Sequence, residues 1–277
     1  MTGPAFVLML LPGAALAHVA THGTQPGPGV QLPVLSAIAL TVWGYRRGCR
    51  RMKGPGMAAP RAAIFALGLA LVAGLLLSPL DALGREMLSA HMVQHFALML
   101  LAAPLLVLGR GGIALIWALP PGLRRGLPRL ALLRRPVVAW MLYTGALWLW
   151  HLPPLYQAAL RIPALHALQH ASFLGAALVF WGAVLSATGP EAQARAFLAV
   201  FFGALQSCLL AALMTLSAVR WYPAQTGAAF GLTPAEDQQL AGLIMWVPCC
   251  AAMIAAGLIV IARLLAALET RRARSPT

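Results

Sequence analysis

Seven long apolar segments, separated by short polar stretches, set the pattern of the chain. They lie near Leu32–Tyr45, Ala62–Leu80, Leu88–Leu108, Val137–His151, Ala164–Ala187, Ala196–Val219 and Gln238–Leu265. A helix needs about 20 apolar residues to cross the hydrocarbon core of a bilayer. The first and fourth segments are short by that measure and must borrow from their flanks. The pattern predicts an all-α fold, a polytopic transmembrane helical bundle of about seven spans occupying residues 32–265. Pro104 and Pro248 fall inside spans and predict kinks or local unwinding.

The polar stretches orient the bundle. The first loop carries Arg46, Arg47, Arg50, Arg51, Lys53 and Arg61, and the loop after the third span carries Arg110, Arg124, Arg125, Arg129, Arg134 and Arg135. Arg195 follows the fifth span, and the tail holds Arg263, Arg271, Arg272 and Arg274. The opposite side has only Arg85, Arg161 and Arg220. Basic residues mark cytoplasmic loops, so the N-terminus is expected outside and the C-terminus cytoplasmic. Residues 266–277 then form a basic cytoplasmic tail. Met1 to Ala17 is apolar and ends Ala15-Leu16-Ala17, a small-x-small pattern that predicts a signal peptide over 1–17. Residues 18–31 read as an exported lead-in rich in Gly and Pro.

Composition agrees with a membrane protein. Hydrophobic residues make up 61% of the 277 positions and charged residues 9%, against about 25% charged in a soluble domain. A net charge of +14 would suggest nucleic acid in a soluble chain. Here it marks cytoplasmic loops, and the expected surroundings are a lipid bilayer, with no nucleic acid partner.

The chemistry concentrates in histidine. Six of the seven His form i, i+4 pairs, His18/His22, His91/His95 and His166/His170, and the seventh is His151. On the topology above all lie at the outer face. Two imidazoles four residues apart share one helix face and can chelate one metal ion, and ionisable groups within a membrane usually have a functional reason. The competing reading has the pairs at the water interface, bonded to loops. Asp81, Glu86, Glu236 and Asp237 lie on the same outer side, where carboxylates can ligate a metal or orient its imidazoles. Glu236 and Asp237 also open the seventh helix, where they suit the helix dipole, and Thr233 with Glu236 fits a capping box. Met99 continues the His91/His95 face, and Met245 and Cys249 share another. Thioether, thiol and imidazole suit Cu(I), although Met and free Cys are also ordinary core fillers. If the chain is cut after Ala17, His18 gains a free amine that could chelate copper beside its own ring. The four Cys have no C-x-x-C spacing and none lies in an outer loop, so no disulfide framework is expected.

Four stretches carry a family resemblance. HMVQHFALMLLAAPLLVLG (91–109), WHLPPLYQAAL (150–160), LHALQHASFLGAALVFW (165–181) and LTPAEDQQLAGLIMWVP (232–248) resemble the multi-spanning CtaG family of bacterial cytochrome c oxidase assembly proteins. The resemblance implies a seven-span plasma (inner) membrane protein that helps to assemble a haem–copper oxidase at a copper centre. His91, His95, His151, His166, His170, Glu236 and Asp237 match the family's polar positions and are the candidate metal ligands. The Cys249-Cys250 pair stands where the family is expected to have small residues.

The expected function is therefore an assembly factor that binds or hands over copper, as Cu(I), through an outer-face His site. Its expected partners are subunits of a haem–copper oxidase and periplasmic copper chaperones. A transporter of copper or another metal ion is the alternative, although the inner half lacks matching polar residues. A di-metal membrane enzyme would bring a His-x-x-His-His box, which is absent. A haem b protein would need axial His from opposite faces, whereas an i, i+4 pair points both rings one way. No residue pattern suggests a nucleophile or an acid–base pair, so no enzymatic activity is expected.

Overall fold

The structure, a computed structural model, describes residues 28–52, 59–125, 132–227 and 230–273. The expected signal peptide, His18, His22, Lys53, Arg129 and Arg274 lie outside these residues, as does nearly all of the lead-in. Among the described residues the chain is all-helical, with no strand.

Eleven helices follow one another among the described residues. They are α1 (Pro28–Arg51), α2 (Ala59–Leu77), α3 (Leu80–Glu86), α4 (Leu88–Leu108), α5 (Gly111–Ala118) and α6 (Pro121–Arg125), then α7 (Pro136–His151), α8 (Pro153–Arg161), α9 (Pro163–Leu185), α10 (Pro190–Leu216) and α11 (Pro234–Ala273). Five of them, α2, α4, α9, α10 and α11, are long and apolar enough to cross a membrane. The first and fourth expected spans are α1 and α7. The 24-residue α1 takes residues from both flanks, including Arg46 to Arg51. At 16 residues, α7 stays short. The short helices α3, α5, α6 and α8 occupy stretches that pattern alone reads as loop.

Several helices begin at proline: α7, α8, α9 and α10 each carry Pro at the first or second position. Proline has no N–H to leave unsatisfied there and its φ already suits a helix. Pro248 is taken into the continuous α11. Pro104 acts differently. Just before it, Leu98–Ala102 form a π-helical turn. The Ala103 N–H bonds to the Leu98 carbonyl, five residues back, and Pro104 has no N–H to offer the Met99 carbonyl. The Trp181 indole of α9 fills that gap, donating to the Met99 oxygen at 2.8 Å. The widened turn is thus tied to its neighbour helix.

The core is built by α4, α7, α9, α10 and α11, and α10 packs along α11 over much of its length. Small residues permit this closeness. A Cβ on Gly242 would lie 2.1 Å from Thr215 Oγ1 and 2.9 Å from the Ala211 carbonyl oxygen. Helices α1 and α2 form a second layer with α4 and α5. There Arg47 and Arg51 of α1 donate to the Ala118 carbonyl, and Arg51 also to Leu119, closing the C-terminus of α5. Cations suit that end of a helix.

Candidate metal centre

Two helices bring their histidine pairs together. On α4, His91 and His95 lie one turn apart, with ring centroids 4.1 Å from each other. On α9, His166 and His170 do the same at 4.4 Å. The pairs face one another. His91 is 5.4 Å from His166 and 6.1 Å from His170, and His95 is 4.9 Å from His170. All four rings are buried, His91 and His95 to 1% exposure.

Their nitrogens are short of partners. Both nitrogens of His91 and His95, and Nε2 of His166 and His170, have no hydrogen bond. Buried polar groups are nearly always bonded, so such a concentration calls for a physical reason. A metal ion supplies one, because neutral imidazole nitrogens are good ligands for it.

A carboxylate completes the set. Asp81 on α3 is buried, with Oδ1 3.8 Å from His166 Nδ1 and Oδ2 3.3 Å from the Arg85 guanidinium. Ligand atoms of Asp81, His166 and His170 all lie within 4.8 Å of one another. An ion bonded at about 2 Å to each would draw them slightly closer. The sequence reading sets Asp81 among the outer acids but not among the ligands. Nothing in its spacing links it to α9, since the contact is made only by folding.

His151 ends α7 beside the cluster. Its Nδ1 is 2.7 Å from the Leu147 carbonyl and its Nε2 is unpartnered. Its ring is 6.2 Å from Phe173, which also packs at 4.6 Å on His95.

The two other expected ligands stand apart, each occupied at a helix end. Exposed Glu236 accepts from the Thr233 N–H and hydroxyl, both at 2.7 Å, and Thr233 Oγ1 accepts from the Glu236 N–H at 3.3 Å. That is the capping box. Buried Asp237 reaches across to α4. Its Oδ2 accepts from the Leu88 N–H at 2.7 Å, and its Oδ1 accepts from the Ser89 N–H and hydroxyl. It therefore caps the helix that carries His91 and His95, as a residue of another helix.

A network from the segment before α11 braces the centre. Tyr156 of α8 packs 5.2 Å from His91 and donates to Gln225 Oε1 at 3.0 Å. Gln225 Nε2 donates to the Gly84 carbonyl. Gly84 in turn lies against His91, where a Cβ would sit 3.3 Å from the His91 Cα. Tyr222 donates to the His151 carbonyl at 2.7 Å, and burial raises its phenol pKa, keeping it a donor. Tyr156, Tyr222, Gln225 and Trp181 escape sequence reasoning because single polar residues carry no spacing signal.

The four cysteines are free. Met99, Met245 and Cys249 are fully buried in the main core.

A family model described as cytochrome c oxidase caa3 assembly factor (Caa3_CtaG) matches residues 39–267. The chain belongs to this family. No curated protein and no solved structure matches it. Its role is accordingly in the assembly of a cytochrome c oxidase. The match to this caa3 assembly factor family takes in the whole imidazole cluster, Asp81, and the helices that hold them.

Proposed function

We propose that this caa3 oxidase assembly factor holds copper, as Cu(I), in the imidazole cluster and passes it to an oxidase subunit. The observation that carries this is the convergence of His91, His95, His166 and His170, buried and with unbonded nitrogens. Such a donor set, with Asp81 beside it, offers copper more ligands than one ion takes. A surplus of that kind suits an ion that must be released again, because ligands can be exchanged one at a time. In this reading His151, one ring further along, is a neighbouring stop for the ion. Asp81 orients His166 or ligates directly, and Asp237 positions α4 rather than touching metal.

The reading extends to the membrane. Seven helices cross it, with α1 and α7 added to the five long apolar ones, in the bacterial plasma membrane. The His cluster faces the periplasm, where copper chaperones deliver the ion. The grouping of histidines at one end of the helices and of arginines at the other supports this sidedness. The protein acts as a carrier rather than an enzyme.

The test is metal content by mass spectrometry on protein purified in mild detergent. It is exposed to Cu(I) under reducing conditions, with Zn(II) as comparison. Wild type is expected to retain about one copper per chain, and His166→Ala with His170→Ala to lose it. His91→Ala with His95→Ala should also lower active oxidase in cells while the protein accumulates normally. Equal copper in wild type and both double variants would overturn the copper reading and leave the assembly role in place.

A further inference from the structure

We propose that a lateral groove beside the imidazole cluster binds one anionic phospholipid, its phosphate held by arginines and an acyl chain lying along α9. The proposal is independent of what the imidazoles hold. The groove has a volume of about 1490 Å³ and is walled by α1, α2, α4, α5 and α9. Asp81 with its ion-pair partner Arg85, His166 and His170 line one end of it, and Arg61, Arg110, Arg124 and Arg134 line the other. From His166 to Leu185 the α9 wall rises by about 28 Å at 1.5 Å per residue. That is close to the ~30 Å hydrocarbon thickness of a bilayer, so the groove runs the depth of the membrane.

The two parts of a lipid match the two parts of the groove. Between its ends the wall is apolar, with Leu69, Val72, Leu98, Leu174 and Leu178. At the arginine end no lining residue is acidic, so an anion fits by charge. Guanidinium groups bind phosphate oxygens in pairs, and basic pockets between membrane helices are known hosts of phospholipid headgroups. Arg124 is held for this. Its guanidinium carbon stands 4.7 Å over the Trp117 ring, and its Nε is buried without a hydrogen-bond partner. A soluble phosphate would satisfy the arginines but leave the long apolar wall unoccupied. A partner's helix would cover the wall but bring no phosphate.

Gly182 makes the chain-binding part testable. It lines the groove, and a Cβ there would meet nothing within 4 Å. Gly182→Leu therefore fills the groove without a clash at Cβ, and it removes a glycine from a helix interior.

The experiment is native mass spectrometry on the full chain in detergent, exchanged with dioleoyl phosphatidylglycerol or with phosphatidylcholine of the same chains. Wild type should retain one phosphatidylglycerol in clear preference to phosphatidylcholine. Arg124→Gln with Arg134→Gln should weaken phosphatidylglycerol roughly thirtyfold, at about 1 kcal/mol per arginine, and leave phosphatidylcholine unchanged. Arg195→Gln, outside the groove, should change neither. Gly182→Leu should lose both lipids while its melting temperature holds. Equal retention of the two lipids overturns the proposal, and so does undiminished retention by Gly182→Leu. Glycerol 1-phosphate bound as tightly as the lipid would make the site one for soluble anions. A co-purifying peptide in place of lipid would make it a docking groove for a helix.

Discussion

Asp237 and Glu236 are adjacent, both acidic, both at the start of α11, and their environments give them different tasks. Glu236 caps its own helix from an exposed position. Losing such a cap costs typically about 1 kcal/mol. Asp237 is buried and satisfies the first turn of α4. Removing it leaves buried N–H groups unbonded, and hydrogen bonds to a charged group carry about 1.5–3 kcal/mol. Glu236→Ala is thus expected to lower the melting temperature slightly and leave copper retention unchanged. Asp237→Ala should lower it more and reduce copper retention, because His91 sits in the second turn of the helix it caps. Asp237→Asn, which keeps one acceptor oxygen, should fall between. Thermal unfolding alongside metal content checks all three, and equal effects of the two alanine variants would refute the division. The sequence made one of these roles readable. Thr233 and Glu236 are three residues apart, a spacing that carries its own geometry. Asp237 lies 149 residues from Leu88, so its role exists only once α11 stands against α4. Asp81 is illegible for the same reason, since its partner His166 belongs to α9.

Among the elements, α4 carries the most information per residue. Its boundaries follow directly from the apolar run Leu88–Leu108, and its i, i+4 histidines follow from helix periodicity. The consequence of Pro104 is legible only in part. Missing N–H groups predict disruption, but the π turn and its repair by Trp181 depend on a second helix. This gives a coupled prediction. Trp181→Phe removes the donor to the Met99 oxygen and should cost about 1–3 kcal/mol, the penalty of a buried unsatisfied carbonyl. In a Pro104→Ala background the backbone regains an N–H that can serve that carbonyl. The cost of Trp181→Phe should then shrink, giving a coupling energy on the order of 1 kcal/mol in a double-mutant cycle. Additive effects would mean that the indole acts through packing alone. The α10–α11 crossing depends on shape instead. Gly242→Leu must force the helices apart, because its Cβ already collides with backbone atoms of α10. It should prevent stable accumulation, whereas Gly182→Leu should not.

At the scale of the molecule, the question is how many helices cross the membrane and in which direction. Charge and hydropathy made the bundle legible because both report on the bilayer. The helices α1 and α7 are ambiguous because each compromises with a neighbour. Helix α1 ends in four arginines, two of which close α5. Helix α7 has 16 residues, about 24 Å of rise, against a core near 30 Å. Arginine side chains can make up such a shortfall by extending to the interface, and Arg134 and Arg135 stand at its start. If both helices cross, the turns at Ile162 and around Tyr222 lie outside and the turn at Thr188 lies inside. The basic groups around Arg47 and Arg134 then also lie inside, as the positive-inside rule requires. If α7 does not cross, α4 and α9 must run in opposite directions. Their histidine pairs, each near a helix N-terminus, face one another, which requires α4 and α9 to run in parallel. An odd number of crossings must therefore lie between them. With α7 as the sole long helix between α4 and α9 among the described residues, it must return the chain across the membrane, and α4, α7 and α9 then alternate in direction. Reporter fusions at Ile162 and Thr188 test this. Activity of an exported reporter at Ile162 with none at Thr188 is expected, and the reverse pattern would turn the cluster toward the cytoplasm and remove the periplasmic copper route.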